Sequence, residues 1–145
     1  MRWNPTRRSL AVSGVLVALT FLTATPTNAT AAEPTYIENR VVHSYRAADG
    51  VWEVKVRAGS TVDLRVALRS LTTNSRIRYE MLHYFQVVTG VGLTPLGSSK
   101  TNHQGDASYR FRTLPLAGRA YPIVVRYYGN GTYGWSTIAL RVVTY

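Results

Sequence analysis

Residues 51–69 read VWEVKVRAGSTVDLRVALR, two alternating runs divided by a small turn. In the first run Trp52, Val54 and Val56 fall on one side of an extended chain, with Glu53, Lys55 and Arg57 on the other. In the second, Val62, Leu64, Val66 and Leu68 fall together, opposite Asp63, Arg65 and Arg69. Side chains of a strand point alternately to its two faces, so a period of two marks strands with one face on a core. Ala58-Gly59-Ser60 supplies the turn, and the two runs read as strands of an antiparallel sheet.

The pattern extends in both directions. Upstream, Val41 to Arg46 is expected as a strand, joined to the Trp52 run through Ala48-Asp49-Gly50, a tight-turn sequence. Downstream, residues 77–88 (IRYEMLHYFQVV) are long enough for a helix. Ile, Val, Tyr and Phe dominate them, however, and predict a long strand, bulged near Met81 and Leu82. Residues 89–105 read as a glycine- and serine-rich loop. Ala107–Thr113, Tyr121–Tyr128 and Ser136–Thr144 alternate again, with Gly129–Gly134 as a turn. About seven short strands, regularly spaced turns and no helical periodicity predict an all-β antiparallel sandwich over residues 36–145. Residues 32–35 are expected to form a short flexible lead-in.

The amino end has the three parts of a secretory signal. Arg2, Arg7 and Arg8 make a positive start, residues 10–22 (LAVSGVLVALTFL) are uncharged and apolar, and Ala29-Thr30-Ala31 fits the small-x-small cleavage rule. Thirteen apolar residues are short against the roughly 20 that span hydrocarbon. Residues 1–31 are therefore expected to be a cleaved signal rather than an anchor. The product is then extracellular, possessing no transmembrane segment and placed for association with the cell wall.

Removing 31 of the 145 residues leaves 114, enough for one domain with a modest core. The signal takes three of the 17 basic residues and none of the seven acidic ones, so 14 against seven leaves the mature chain at +7. All the basic residues are Arg except Lys55 and Lys100. That bias suits binding of phosphate or carboxylate by guanidinium forks, and a GC-rich genome accounts for it equally. Cysteine is absent, which excludes thiolate nucleophiles, zinc–thiolate sites and redox motifs. A small secreted domain held by burial alone points to a bacterial exported protein.

The stretch Thr101-Asn102-His103-Gln104-Gly105-Asp106-Ala107 resembles the T-[DN]-x-x-G-x-A element of bacterial immunoglobulin-like (Big-type) domains. Leu114–Gly118, Tyr121–Tyr127, Gly129, Tyr133 and Ser136 are similar to that family's closing pattern. The resemblance covers roughly residues 60–145 and implies an immunoglobulin-like β-sandwich, here in a single copy rather than in the usual tandem array. It implies nothing about a ligand.

Chemistry-bearing constellations are few. His43, His83 and His103 are far apart and in no metal-ligand spacing, so neither a metal nor another cofactor is expected. Among the acids, Glu80 stands out because the surrounding run from Tyr79 to Phe85 would raise its pKa by desolvation. A solvated or Arg-paired Glu80 explains the position as well. No nucleophile elbow, Walker loop or dinucleotide fingerprint occurs, and an enzyme is not expected.

The densest aromatic group is Tyr127, Tyr128, Tyr133 and Trp135 with Arg126, at the glycine-rich tip Gly129-Asn130-Gly131. Strand propensity and the family pattern account for Tyr127 and Tyr133, which leaves Tyr128 and Trp135 as candidates for ligand stacking. Arg57, Arg65, Arg69, Arg76, Arg78, Arg110, Arg112 and Arg126 mostly take outward strand positions, and neighbouring strands would gather them into a basic face. The binding residues expected are Arg126, Tyr128, Trp135, Arg110 and Arg112. The partner expected is an anionic cell-wall polymer or polysaccharide, bound by a non-catalytic adhesion-type module. The alternative is a secreted effector or inhibitor that meets a protein partner through residues 89–105. Export argues against a specific nucleic-acid reader.

Overall fold

The structure is a computed structural model that describes residues 30–145; the proposed signal up to residue 29 lies outside them. Nine strands follow one another with no helix among the described residues: β1 Thr35–Asn39, β2 Tyr45–Arg46, β3 Trp52–Val56, β4 Thr61–Ser70, β5 Met81–Val88, β6 Gly92–Lys100, β7 Asp106–Arg112, β8 Ala120–Tyr127 and β9 Ser136–Thr144. They form two sheets, β1-β4-β7 and β2-β3-β9-β8-β5-β6. Leu64, Val66 and Leu68 from β4 are fully or almost fully buried, as are Leu82 and Tyr84 from β5, Ile123 and Val125 from β8, and Val142 from β9. The alternating residues of both sheets thus make one core, the arrangement of a β-sandwich. Each fully buried aliphatic chain contributes about 1.5–3 kcal/mol, and this core replaces the disulfides the chain lacks.

The Trp52 and Val62 runs are strands, as their alternation requires, but they do not pair. Ala58-Gly59-Ser60 carries the chain from the six-stranded sheet to the three-stranded one. Ser60 N–H closes on the Arg57 carbonyl (3.1 Å), while Gly59 N–H donates to Leu114 (2.9 Å) and Thr113 N–H donates to Ser60 (3.0 Å). Strand β3 instead runs parallel to β9, from Trp52 opposite Leu140 to Val56 opposite Thr144. All other strand pairs are antiparallel. The Asp49-Gly50 turn joins β2 to β3 as its sequence predicts, with Gly50 at φ +81°.

Four segments differ from the sequence expectation. The strand expected over 41–46 lies earlier, at Thr35–Asn39, where it pairs with β4 and buries Thr35 and Ile37; Val41 also reaches the core, but from the turn that follows. The chain then turns through His43, at φ +61°, and only Tyr45 and Arg46 re-enter a sheet. The expected lead-in at 32–35 is tied down: Glu33 N–H donates to the Thr132 carbonyl and Gly134 N–H to that of Glu33, both at 2.8 Å.

The run 77–88 divides at Tyr79, whose φ of +61° ends any continuous strand. Ile77 N–H donates to Leu68 in the small sheet (3.0 Å), whereas Leu82 is buried from the large one. The bulge lies between Tyr84 and Phe85, which face Gly97 and Pro95, so Leu96 is the extra residue on β6. The segment 89–105 is a loop only at its ends, since Gly92–Lys100 forms edge strand β6. Every residue of β6 is exposed or half-exposed, so no inside–outside alternation marked it.

Thr101 to Ala107 closes the corner after β6. The Thr101 backbone N–H donates to Glu80 O (2.8 Å), and its hydroxyl accepts from Glu80 N–H (2.9 Å). The Asn102 side-chain oxygen accepts from Gln104 and Asp106 N–H at 2.8 and 3.0 Å. Gly105, at φ +76°, is packed against Leu68 O and Arg76, either of which a Cβ would approach to 3.2 Å. These residues shape a turn.

Candidate functional site

The two outer faces of the sandwich differ in chemistry. On the three-stranded sheet the outward positions are Tyr36 and Glu38 of β1, Asp63, Arg65 and Arg69 of β4, and Asp106, Ser108, Arg110 and Arg112 of β7. Register places Asp63 beside Arg110, Arg65 beside Ser108, and Tyr36 beside Arg69. Successive outward positions are about 7 Å apart, so Thr61 to Arg69 lays this surface along about 27 Å.

At one end, Arg40, Arg65, Arg69 and Arg76, with Gln104 and Asp106, line a depression of about 270 Å³. Arg76 joins Arg69 through a β-bridge. Two carboxylates lie among the four guanidiniums. Glu38 accepts from Arg69 Nε (2.7 Å) and from Arg40 (3.0 Å), while Asp106 pairs with Arg65. Partial burial acts to raise the pKa of Glu38, but the hydrogen bonds and charges of Arg69 and Arg40 together hold it below its ordinary value. Glu38 therefore stays ionised and positions both cations. Arg76 makes no ion pair among the described residues, which leaves the cluster with a positive excess. At the other end Arg110, itself highly exposed, approaches Asp63 only to 3.5 Å, and Arg112 is exposed beside Thr61. Solvent screens such contacts, so they leave Arg110 free to exchange partners.

The structure thus gathers Arg65, Arg69, Arg76, Arg110 and Arg112 on one face. It places Arg126, Tyr128 and Trp135 on the other, around the β8–β9 hairpin. Arg40 belongs to the basic cluster but was missed, because a strand expected to begin at Val41 left it outside any register.

On the six-stranded sheet, Arg126, Tyr128 and Trp135 line one pocket of about 290 Å³ together with Tyr127, Ser136 and Thr137. Tyr127 is a core residue. Its buried hydroxyl has no hydrogen-bond partner, and burial foremost, then the nearby Glu80 charge, pushes its pKa well above that of a free phenol. Glu80 has a structural engagement: its carboxylate accepts from Asn130 Nδ2 at 2.7 Å. Asn130 Oδ1 in turn accepts from Thr132 and Tyr133 N–H (2.7 and 2.8 Å), and Asn130 N–H donates to Tyr133 O (2.8 Å). The tip at 129–134 is therefore a braced turn.

Of the histidines, His43 sits in a turn and His103 in the exposed corner, while His83 packs on Tyr128 with ring centroids 5.1 Å apart. Among the described residues no three His, Asp or Glu side chains converge as a metal site would require. No helix among them is long and apolar enough to cross a membrane. No protein-family model matches this chain, and the curated proteins contain no detectable relative of it.

Proposed function

We propose that the chain is a secreted, non-catalytic binding module of the bacterial immunoglobulin-like kind, which associates with an anionic polymer of the cell wall or its surroundings. The observation that carries this reading is the basic outer face of the three-stranded sheet, above all the cluster of Arg40, Arg65, Arg69 and Arg76. Three of the four guanidiniums share two carboxylates there and Arg76 pairs with none, and Arg110 and Arg112 extend the positive field along the strand direction. Guanidinium forks match phosphate and carboxylate groups, and a row of them suits a repeating polyanion better than a single small ion. The resemblance at residues 101–107 and 114–136 and the signal-like amino end both fit a surface-associated role.

The test is co-sedimentation of the purified protein with isolated cell walls at low and at high salt. Retention at low salt that is lost at high salt is expected, because screening weakens exposed charge contacts. The quadruple substitution Arg40→Gln, Arg76→Gln, Arg110→Gln and Arg112→Gln should abolish it while the melting temperature holds. Absence of retention at low salt overturns the proposal. Retention that salt does not weaken overturns its electrostatic basis.

A further inference from the structure

We infer that the open end of the β8–β9 hairpin is a second binding site, for an acidic sugar, on the face opposite the arginine cluster and independent of it. The ladder between β8 and β9 ends at Tyr127 opposite Ser136. The next residues outward are Tyr128 and Trp135. Aromatic residues at such facing positions ordinarily cover one another and stabilise the hairpin. Here Tyr128 is 60% exposed and Trp135 is 73% exposed. The Tyr128 ring lies against His83, and Trp135 stacks on no ring among the described residues. The two rings instead border an open pocket.

The pocket is preformed. Besides the Asn130 bonds, the Gly129 backbone lies so near Tyr133 O that a Cβ would come within 2.7 Å of it, and within 3.0 Å of Trp135 N. This contact fixes the roots of both aromatic residues without burying either ring. Tyr128 is buttressed by His83 from one side only.

The floor supplies polar groups. Arg126 sits between His83 of β5 and Thr137 of β9 in register. Its guanidinium rests over the Phe85 ring at 6.0 Å and has no carboxylate partner among the described residues. The Thr137 hydroxyl donates to Val125 O (3.2 Å), which leaves its oxygen to accept from a ligand.

Two exposed ring faces, one unpaired cation and one acceptor suit a pyranose carrying a carboxylate. The C–H bonds on the flatter side of the ring carry partial positive charge onto the negative aromatic faces. The carboxylate meets Arg126 through paired, charge-assisted hydrogen bonds. A ring hydroxyl donates to Thr137.

The experiment titrates the purified protein by calorimetry with three probes. These are an oligosaccharide of alternating glucuronic acid and N-acetylglucosamine, a neutral N-acetylglucosamine oligomer of equal length, and a thymidine oligonucleotide. Saturable binding of the acidic oligosaccharide is expected, with Trp135→Ala and Tyr128→Ala each weakening it by about tenfold or more. Arg126→Gln should reduce the acidic oligosaccharide to the affinity of the neutral one. Arg40→Gln with Arg76→Gln should leave binding unchanged, which separates this site from the polymer-binding face. Because both aromatic rings are exposed, the substitutions should preserve the fold, as circular dichroism would verify. The inference is overturned if neither oligosaccharide binds, if Trp135→Ala binds as well as the parent, or if only the oligonucleotide binds. It is equally overturned if the protein sediments as a dimer that Trp135→Ala converts to monomer, because the rings would then meet a second copy.

Discussion

Tyr109 of β7 lies directly on Gly97 of β6, so that a Cβ on Gly97 would stand 2.7 Å from the Tyr109 ring. This contact joins the edges of the two sheets. The ring has little room to retreat: it stacks on Tyr84 at 5.4 Å, and its hydroxyl donates to Leu96 O at 3.1 Å. Gly97 is thus required for space, since its φ is not in the left-handed region.

Gly97→Ala should therefore destabilise the domain by about 1–3 kcal/mol, the usual cost of forcing an added methyl into a packed site. Urea titration would measure it. Tyr109→Leu in the same chain should recover part of that loss, because the two positions share one volume and their effects do not add.

Tyr84 gives the opposite sign. Its ring is wholly buried in the core, yet its hydroxyl has no hydrogen-bond partner. Tyr84→Phe keeps the ring and removes the orphaned polar group, so a gain of about 1 kcal/mol at neutral pH is expected. Burial also raises the Tyr84 pKa above the ordinary value of 10.0. Ionisation is easier in the unfolded chain, so this contribution is complete below pH about 10 and lost as pH climbs toward the folded value. Tyr84→Phe should flatten the decline of the melting temperature above pH 10; an unchanged profile would refute the link. Tyr127 shares the shift, so some decline will remain.

The sandwich was legible in Trp52–Val56 and Thr61–Ser70 because a half-buried strand writes its inner face as every second residue. Pairing partners were not. Alternation is the same whether the next strand lies alongside or in the opposite sheet, so Ala58-Gly59-Ser60 looked like a hairpin turn while it crosses between sheets. Strand β6 was illegible for another reason: an exposed edge strand that starts at Gly92 and contains Pro95 and Gly97 buries too little to show a period. Tyr128 and Trp135 could be singled out since neither core packing nor the family pattern demanded them, and both prove exposed. The union of Arg40 and Arg76 with Arg65 and Arg69 depends on β1–β4 register and on the Arg69–Arg76 bridge, which residue order alone does not contain.

The hairpin tip offers a third prediction. Gly129 takes φ +81°, and its Cβ position is blocked by backbone atoms of Tyr133, Gly134 and Trp135. Backbone cannot step aside as a side-chain end can. Gly129→Ala should cost about 1–3 kcal/mol from the left-handed conformation alone, and the clash adds to it. Amide hydrogen exchange should quicken at Thr132 and Tyr133, whose N–H groups are held by Asn130. Protection factors equal to the parent's would show that the tip can remodel freely.

A fourth concerns acid. Arg141 of β9 bridges Asp49 and Glu53, meeting Glu53 at 3.1 Å and Asp49 more closely, and so ties the β2–β3 turn to the sheet. Asp49 is held below its ordinary pKa of 3.8, chiefly by Arg141. Glu53 is held below 4.5 by the Tyr45 hydroxyl first and then by Arg141. Depressed carboxylates bind protons more readily in the unfolded chain. Their contribution is therefore full above the unfolded values and disappears as pH falls through the folded ones. Arg141→Met keeps the stem and removes the charge. At pH 7 it should lower the urea midpoint, and the gap from the parent should narrow steadily between about pH 4.5 and pH 2 as both carboxylates become protonated. A gap that stays constant across that range would mean that Arg141 acts through packing of its stem rather than through its charge.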